Sequence, residues 1–552
     1  MRVGYRWAAA ALVLVAACSP SGRPTRSVPF VLVTIDTLPA DRVGCYGCPT
    51  VRTPTLDRLA RRGIQAIDAI SPAPLTAASH TTILTGLDPP RHGVRENAMF
   101  RLADSVATVA RLLPADVRKG AFVGAFPLAS RFGLAPGFDR YDDDFSGHTD
   151  RRRPPERKAE TVLAAAAKWL AEPNRGARPF VWVHLFDPHY PYESPAPWAR
   201  VAASIPGGAA YEGEVAYTDR ELGRFLDGLE TGSPAASPTV LVVADHGESF
   251  GAHGEITHSL FVYDATQRVP MIFAGPDVPA RLETAQRRLA DVTPTILAAY
   301  EQPRPPALDG TPLREAPSES EAYVETEHTE LMLGWAPLFG VRTTQWKYIR
   351  APRSELYDLV ADPAELHNLF AEKPEVVAKL SAYVDDVLAS QSDVAPTPID
   401  DETAERLRSL GYVATVSAPK KVEHGKDPKD GAAGCAALFW GEEAYSRSDF
   451  VAAQRYLLEA MRLDPTNKEA CSFLAGTYHG LGRYEMAVDY ARRSLELSPH
   501  INEAPVHATL GECLLLLGRP AEAIPHLEKA REHRAYDPKL DRLLSEARER
   551  LK

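Results

Sequence analysis

The 552-residue chain carries 62 Lys and Arg against 73 Asp and Glu, a formal net charge of −11. An acidic balance gives no bulk attraction for nucleic acid or anionic lipid, so no nucleic-acid partner is expected. With 45% apolar and 24% charged residues, the composition is that of ordinary globular protein, and the length suits about two to four domains.

The first residues differ from the rest. Arg2 and Arg6 precede an apolar run from Ala8 to Ala17 that ends in Val15-Ala16-Ala17-Cys18. A positive start, a short apolar stretch and a small-residue cleavage site read as an export signal over 1–17 rather than a helix of the fold. The last four residues resemble a bacterial lipobox, which implies lipidation of Cys18 and a membrane-tethered protein in the cell envelope, facing periplasm or exterior. An ordinary signal with a chance cysteine is the alternative. Cleavage removes two arginines and takes the charge from −11 to −13. Residues 18–27 form a Ser/Pro/Arg tether. Of the remaining cysteines, Cys45 and Cys48 are chance neighbours or a local disulfide, since no further zinc ligands lie near them.

Residues 28–36 are a nearly continuous apolar run, the pattern of a strand buried on both faces. Similar runs occur at 120–126, 179–186, 239–245 and 269–274, with helical patterns at 53–62, 105–113, 158–171 and 213–230. This alternation predicts an α/β domain over 28–320, with a mainly parallel sheet sandwiched by helices. Shorter strands around 323–325, 339–342, 346–349 and 355–359 predict a small antiparallel subdomain over 321–389. Residues 390–430, rich in Asp, Pro, Ser and Lys, are a linker with one short helix at 404–410.

From 431 the pattern is purely helical and repetitive. Phe450 and Tyr484 are 34 residues apart, as are Ala453 and Ala487, and Leu463-Asp464-Pro465 recurs as Leu497-Ser498-Pro499. The spacing resembles tetratricopeptide repeats, about three of them over 431–552 with a capping helix at 538–551. Gly476, Ala487 and Gly511 permit close helix contact. Such a stack presents a groove for a protein partner; a purely structural appendage is the alternative.

Asp36, Asp187 and Asp245 each fall just beyond the carboxyl end of a predicted strand, where open α/β sheets bind ligands. Asp36, Asp245 and His246 with the Thr76 hydroxyl would make one tetrahedral site for a divalent cation, Zn2+, Mn2+ or Ca2+. Coordination is one route to an activated hydroxyl nucleophile. Thr76 stands at a helix start, which favours an anionic substrate, although a threonine there also serves as a plain N-cap. A second ion about 4 Å from the first would activate water. Its candidate ligands are Asp187, His189 and His258, with His184 and His253 in reserve. With one ion only, His189 and His258 become substrate-binding or acid–base groups.

The run from Pro74 to Gly86, PLTAASHTTILTG, together with Val33-Thr34-Ile35-Asp36-Thr37 and Val243-Ala244-Asp245-His246-Gly247, resembles the sulfatase branch of the alkaline phosphatase superfamily over roughly 28–385. The resemblance implies that fold, a metal-dependent ester hydrolase and a small carboxy-terminal subdomain ending in Asp362-Pro363 and Asn368-Leu369. Sulfatases place Cys or Ser at position 76, followed by Pro and Arg, and oxidise it to formylglycine. Threonine can yield only a ketone, so no formylglycine is expected. His80 stands where the sulfatase arginine belongs, and the lysine-tryptophan-histidine segment expected near Gly124-Ala125-Phe126-Pro127 is absent. The stretch from Thr76 to Asn97 resembles the nucleotide pyrophosphatase/phosphodiesterase relatives. That resemblance implies a threonine nucleophile with Asn97 holding a non-bridging oxygen; His80 either supports the site electrostatically or packs the helix. Phosphate mono- or diesters or phosphonate esters are therefore the expected substrates. The alternatives are a sulfuric ester hydrolase, a phosphotransferase to an envelope glycan or lipid, and a non-catalytic assembly factor built on the repeats.

Overall fold

The computed structural model describes the chain apart from residues 1–27, 147–155, 174–177, 196–197, 199–207, 231–236, 318–320, 393, 397–424, 498–503 and 534–536. The export signal, Cys18, the tether and the expected linker helix at 404–410 lie outside the described residues.

The six residues of β1 (Phe30–Ile35) are wholly buried. They run parallel to β5 (Phe180–Leu185) on one side and β6 (Thr239–Ala244) on the other. Polar–apolar alternation is absent from these strands, as expected where both faces of a sheet are covered. The large sheet is ordered β4-β3-β5-β1-β6-β7-β2-β8, where β2 is Gly63–Ile70, β3 Lys119–Phe122, β4 Arg140–Asp142, β7 Arg268–Ala274 and β8 Arg281–Glu283; β9 (Arg287–Arg288) pairs with β2. Among the described strands of this sheet only β7 runs against the others, antiparallel to both β6 and β2. β2 itself has no counterpart among the expected strands. Its sequence GIQAIDAI follows directly on the helix Pro54–Arg62, with no turn residue beyond Gly63 to mark the change. The helix expected at 105–113 shortens to Val109–Leu112.

Four antiparallel strands, β10 (Ala322–Thr326), β11 (Leu338–Arg342), β12 (Trp346–Arg350) and β13 (Glu355–Asp358), make the small sheet. The helix Pro374–Ala389 covers one face through Leu380 and Val384. Cys45 and Cys48 are both free thiols, so no local disulfide forms.

Beyond this sheet three antiparallel helix pairs follow: Ala432–Ser446 with Phe450–Leu463, Lys468–Gly480 with Tyr484–Leu497, and Ala504–Leu516 with Pro520–His533. The helix Pro538–Arg550 closes the stack. Their apolar faces share one core, including Leu457, Leu474, Leu510, Leu527 and Leu544. A Cβ at Gly511 would sit 2.6 Å from Leu527 Cγ, in a fully buried contact. Gly511→Ala gains helix propensity yet overpacks that contact, and a net loss on the order of 1 kcal/mol is expected as a lowered Tm in thermal denaturation.

Candidate active site

The sheet ladder continues one residue past β1 and β6. The Asp36 N–H donates to the Leu185 carbonyl at 2.9 Å, and the Asp245 N–H donates to the Ile35 carbonyl at 3.3 Å. Two aspartates are thereby held side by side at the carboxyl edge of the sheet. Thr37 then turns the chain with φ of 47°, a costly conformation for a β-branched residue. Three hydrogen bonds offset that cost: its N–H to Asp245 Oδ1, its hydroxyl to the Pro188 carbonyl, and its carbonyl from the Tyr211 hydroxyl.

Asp245 Oδ1 also accepts the His246 N–H at 2.8 Å. Its Oδ2 is left facing His246 Nε2 at 3.6 Å and His80 Nδ1 at 3.4 Å, while Asp36 Oδ1 lies 3.7 Å from His246 Nε2. One ligand atom from each of Asp36, Asp245 and His246 falls within a 4.8 Å cluster, all fully buried. Both Asp36 oxygens, Asp245 Oδ2, His246 Nε2 and the Thr76 hydroxyl find no hydrogen-bond partner in the protein. Buried carboxylate oxygens without partners are costly, and two of them facing an imidazole lone pair suit a divalent cation. Electrostatics agree. Burial raises the Asp36 carboxyl well above the usual range, with Asp245 and Glu248 adding repulsion. Burial acts the same way on Asp245, but His246, His80 and His184 overcome it and hold that carboxyl low. Burial takes His246 down to about 4, which leaves the ring neutral and able to act as a ligand.

Thr76 opens the helix Thr76–Thr85, and Leu75 occupies the N-cap position. The Thr76 hydroxyl makes no capping bond, so the plain N-cap reading does not hold. It lies near enough to Asp36 to lower that carboxyl's proton affinity, though no bond of ordinary geometry joins them. Asn97 Oδ1 accepts the Ala77 N–H at 2.8 Å, at the same helix start. Its Nδ2 is buried with no protein partner, a donor left over for an anionic oxygen. Backbone and side chains fix Asn97 further: its N–H donates to Glu96, whose other oxygen meets His328 Nδ1 at 2.9 Å.

His80 is fully buried, 2.8 Å from the Thr76 carbonyl through Nδ1 and 3.0 Å from the Thr34 hydroxyl through Nε2. Thr34 Oγ1 also receives Trp182 Nε1 and contacts His184 Nδ1, and His184 Nε2 stands 3.4 Å from Asp36. A chain of imidazoles and one hydroxyl thus joins the helix Thr76–Thr85 to Asp36, which puts His80 in the site wall as well as in the packing of that helix.

Asp187 does not join this group. Its Oδ2 accepts the Ala159 N–H at 2.8 Å at the start of the helix Ala159–Ala171, and burial pushes its carboxyl up to about 7. A strand-end aspartate has here become a helix cap, because the next helix begins directly opposite it. His253 is also elsewhere: its ring stacks on Tyr263 at 3.6 Å. His189 and His258 do enter the site wall, with ring centroids 5.2 Å apart and His258 4.6 Å from His246. Among the described residues no second group of three ligands gathers around them, so the expected second ion lacks a ligand set here.

Glu248 escaped sequence reasoning. Its Oε1 lies 3.3 Å from His258 Nδ1 and its Oε2 accepts the Tyr192 hydroxyl. The signal available was its place three residues after Asp245, but an acid in a loop carries no period. Burial raises it from 4.5 to about 8. In metal-free protein the folded state keeps this proton while the unfolded state loses it, so stability falls as pH rises from 4.5 to about 8. Glu248→Gln is expected to flatten that fall in denaturant melts across the window.

The fold is shared with solved sulfatases and phosphonate monoester hydrolases, and the sequence comparisons point to the same class of ester hydrolase. Residues 29–301 match the sulfatase family model, and residues 469–535 match a tetratricopeptide repeat model. Delta 4,5-hexuronate-2-O-sulfatase of Bacteroides thetaiotaomicron is 24% identical over 470 residues, covering 72% of this chain and 96% of that protein. Arylsulfatase K of Bos taurus is 32% identical over 190 residues, 31% of this chain and 35% of that one. The phosphonate monoester hydrolase of Agrobacterium radiobacter superposes with a TM-score of 0.54 at 20% identity, covering 66% of this chain and 95% of that structure. The domain at 29–301 is a sulfatase-family domain, followed in the same chain by tetratricopeptide repeats.

Proposed function

We propose that this domain hydrolyses phosphate mono- or diesters or phosphonate esters, with Thr76 as nucleophile. The observation that carries the reading is the buried, uncapped Thr76 hydroxyl beside Asp36 at a helix start. Asp36, Asp245, His246 and Thr76 would hold a divalent cation, Zn2+ or Mn2+ fitting the donor set more closely than Ca2+. When bound, the ion would lower the proton affinity of the hydroxyl and offset charge on the transferred group.

Thr76 Oγ attacks phosphorus, the bond to the leaving oxygen breaks, and the departing alcohol takes up a proton. The Asn97 Nδ2 donates to a non-bridging oxygen as charge gathers there. Water then attacks phosphorus from the opposite side, the bond to Thr76 Oγ breaks, and the hydroxyl recovers its proton. Each step inverts at phosphorus. His189 and His258, in the wall beside His246, would serve proton transfer. Both are lowered by burial, His258 to about 3, so they enter as neutral bases.

Sulfuric ester hydrolysis is the second reading, favoured by the sulfatase names of the sequence relatives. A panel of aryl phosphate, bis-aryl phosphate, aryl phosphonate and aryl sulfate, run with Thr76→Ala as control, separates the two. Sulfate turnover that dominates the panel and vanishes in the variant would defeat the phosphoryl reading. Metal analysis addresses the non-catalytic alternative: protein that neither contains nor is stabilised by Zn2+, Mn2+ or Ca2+ would support an assembly role.

An export signal over 1–17 with lipidation of Cys18 would tether the enzyme to an envelope membrane, leaving the repeat groove for a protein partner. Cys18→Ser is expected to move the protein from the membrane pellet to the soluble fraction on cell fractionation.

A further inference from the structure

The repeat stack meets the catalytic domain through its first helix, Ala432–Ser446. The approach to that helix is closely fitted. A Cβ at Gly431 would stand 2.0 Å from the Trp335 ring, and the Ala336 N–H donates to the Lys426 carbonyl at 2.9 Å. Arg353 holds Asp430 through two bonds of 2.9 and 2.8 Å, and Lys429 bonds to Glu355, which also accepts the hydroxyls of Tyr263 and Tyr357. Ala432 and Cys435 enter the apolar cluster formed by Leu260, Phe261 and Tyr263.

Cys435, Phe439 and Glu443 are spaced four apart, so they share one face of this helix. The Phe439 ring lies 4.9 Å from that of Tyr190, and the Tyr190 hydroxyl donates to Glu443, which also pairs with Arg447. Tyr190 directly follows His189, and its carbonyl accepts His189 Nδ1–H at 2.6 Å. That bond sets the tautomer, and the Phe186 ring stacked at 4.4 Å sets the plane. The imidazole so held lies 5.2 Å from the His258 ring, which in turn lies 4.6 Å from that of His246.

We propose that the first repeat helix is a working part of the active site: Glu443 and Phe439 are positioning residues that hold Tyr190, and through its carbonyl the His189 imidazole. The inference rests on the hydrolytic reading above for its kinetic consequence, but not for the contact itself. It gives the repeats a role at the chemistry in addition to any partner in their groove. A shift of the first helix pair against the catalytic domain would be felt at His189.

The test uses the full chain with Phe439→Ala, Glu443→Ala, Glu443→Gln, and Val451→Ala as a control at a site 71% exposed on the next helix. Hydrogen–deuterium exchange of the segment 186–193 is expected to speed up about tenfold in Phe439→Ala and Glu443→Ala, with 76–85 unchanged. Turnover of whichever panel ester the wild type accepts is expected to fall on the order of tenfold in kcat at nearly constant KM. Glu443→Gln keeps an acceptor for the tyrosine and is expected to restore both readouts; Val451→Ala should alter neither. Unchanged exchange at 186–193 overturns the proposal. Faster exchange with unaltered kcat also overturns it, by reducing the contact to docking. A wild type that turns over none of the four esters sinks the hydrolase reading instead, and the exchange data still decide whether this helix holds the His189 loop.

Discussion

Thr76→Ala is expected to lower kcat on the preferred ester by at least about 10³, the scale of losing a nucleophile whose partners remain in place. Thr76→Ser is expected to stay within about tenfold of wild type, since the oxygen survives and only a methyl group is lost. The comparison is clean because the Thr76 side chain makes no capping bond, and Leu75 holds the N-cap position. Alanine there removes the hydroxyl without removing a bond on which the helix depends. Acid quenching during turnover should trap a phosphorylated Thr76 peptide in the wild type and none in the alanine variant. Activity that survives in Thr76→Ala would end the threonine mechanism and return the sulfatase-family site to some other nucleophile.

Asp36→Asn should separate stability from metal affinity. The buried Asp36 carboxyl is raised by burial first, then by Asp245 and Glu248. In metal-free protein such a group favours the fold while protonated and withdraws that support as pH climbs from its ordinary value toward its raised one. The asparagine variant carries no such charge, so its metal-free stability is expected to match or exceed wild type near neutral pH and to vary less with pH. Wild type, by contrast, should gain about 2.7 kcal/mol from Zn2+ or Mn2+ at a hundred times the dissociation constant. The variant should gain almost nothing, and its turnover should fall with it. Metal stabilisation that persists undiminished in Asp36→Asn would place the cation elsewhere.

Some of this site was legible because strands announce their own ends. Continuous apolar runs locate β1 and β6, and an aspartate directly after each run has nowhere to go but the sheet's edge. Asp187 obeys the same rule and yet caps the helix Ala159–Ala171. The sequence contains no term for which backbone N–H groups stand across from a strand end. His80 and His184 carry little signal taken one at a time; their place in the site comes from sharing the Thr34 hydroxyl, a meeting of three segments. Glu248 was invisible for the same reason.

The chain's own pattern determined the α/β architecture, the repeat period and the pairing of Asp36 with Asp245. Those follow from local periodicity and from which residues end each buried run. Tertiary packing alone decided that Asp187 turns away, that β7 runs against its neighbours, and that the first repeat helix rests on Tyr190 beside His189. Such outcomes depend on contacts between residues as far apart as Tyr190 and Glu443, and no window along the sequence holds both partners at once.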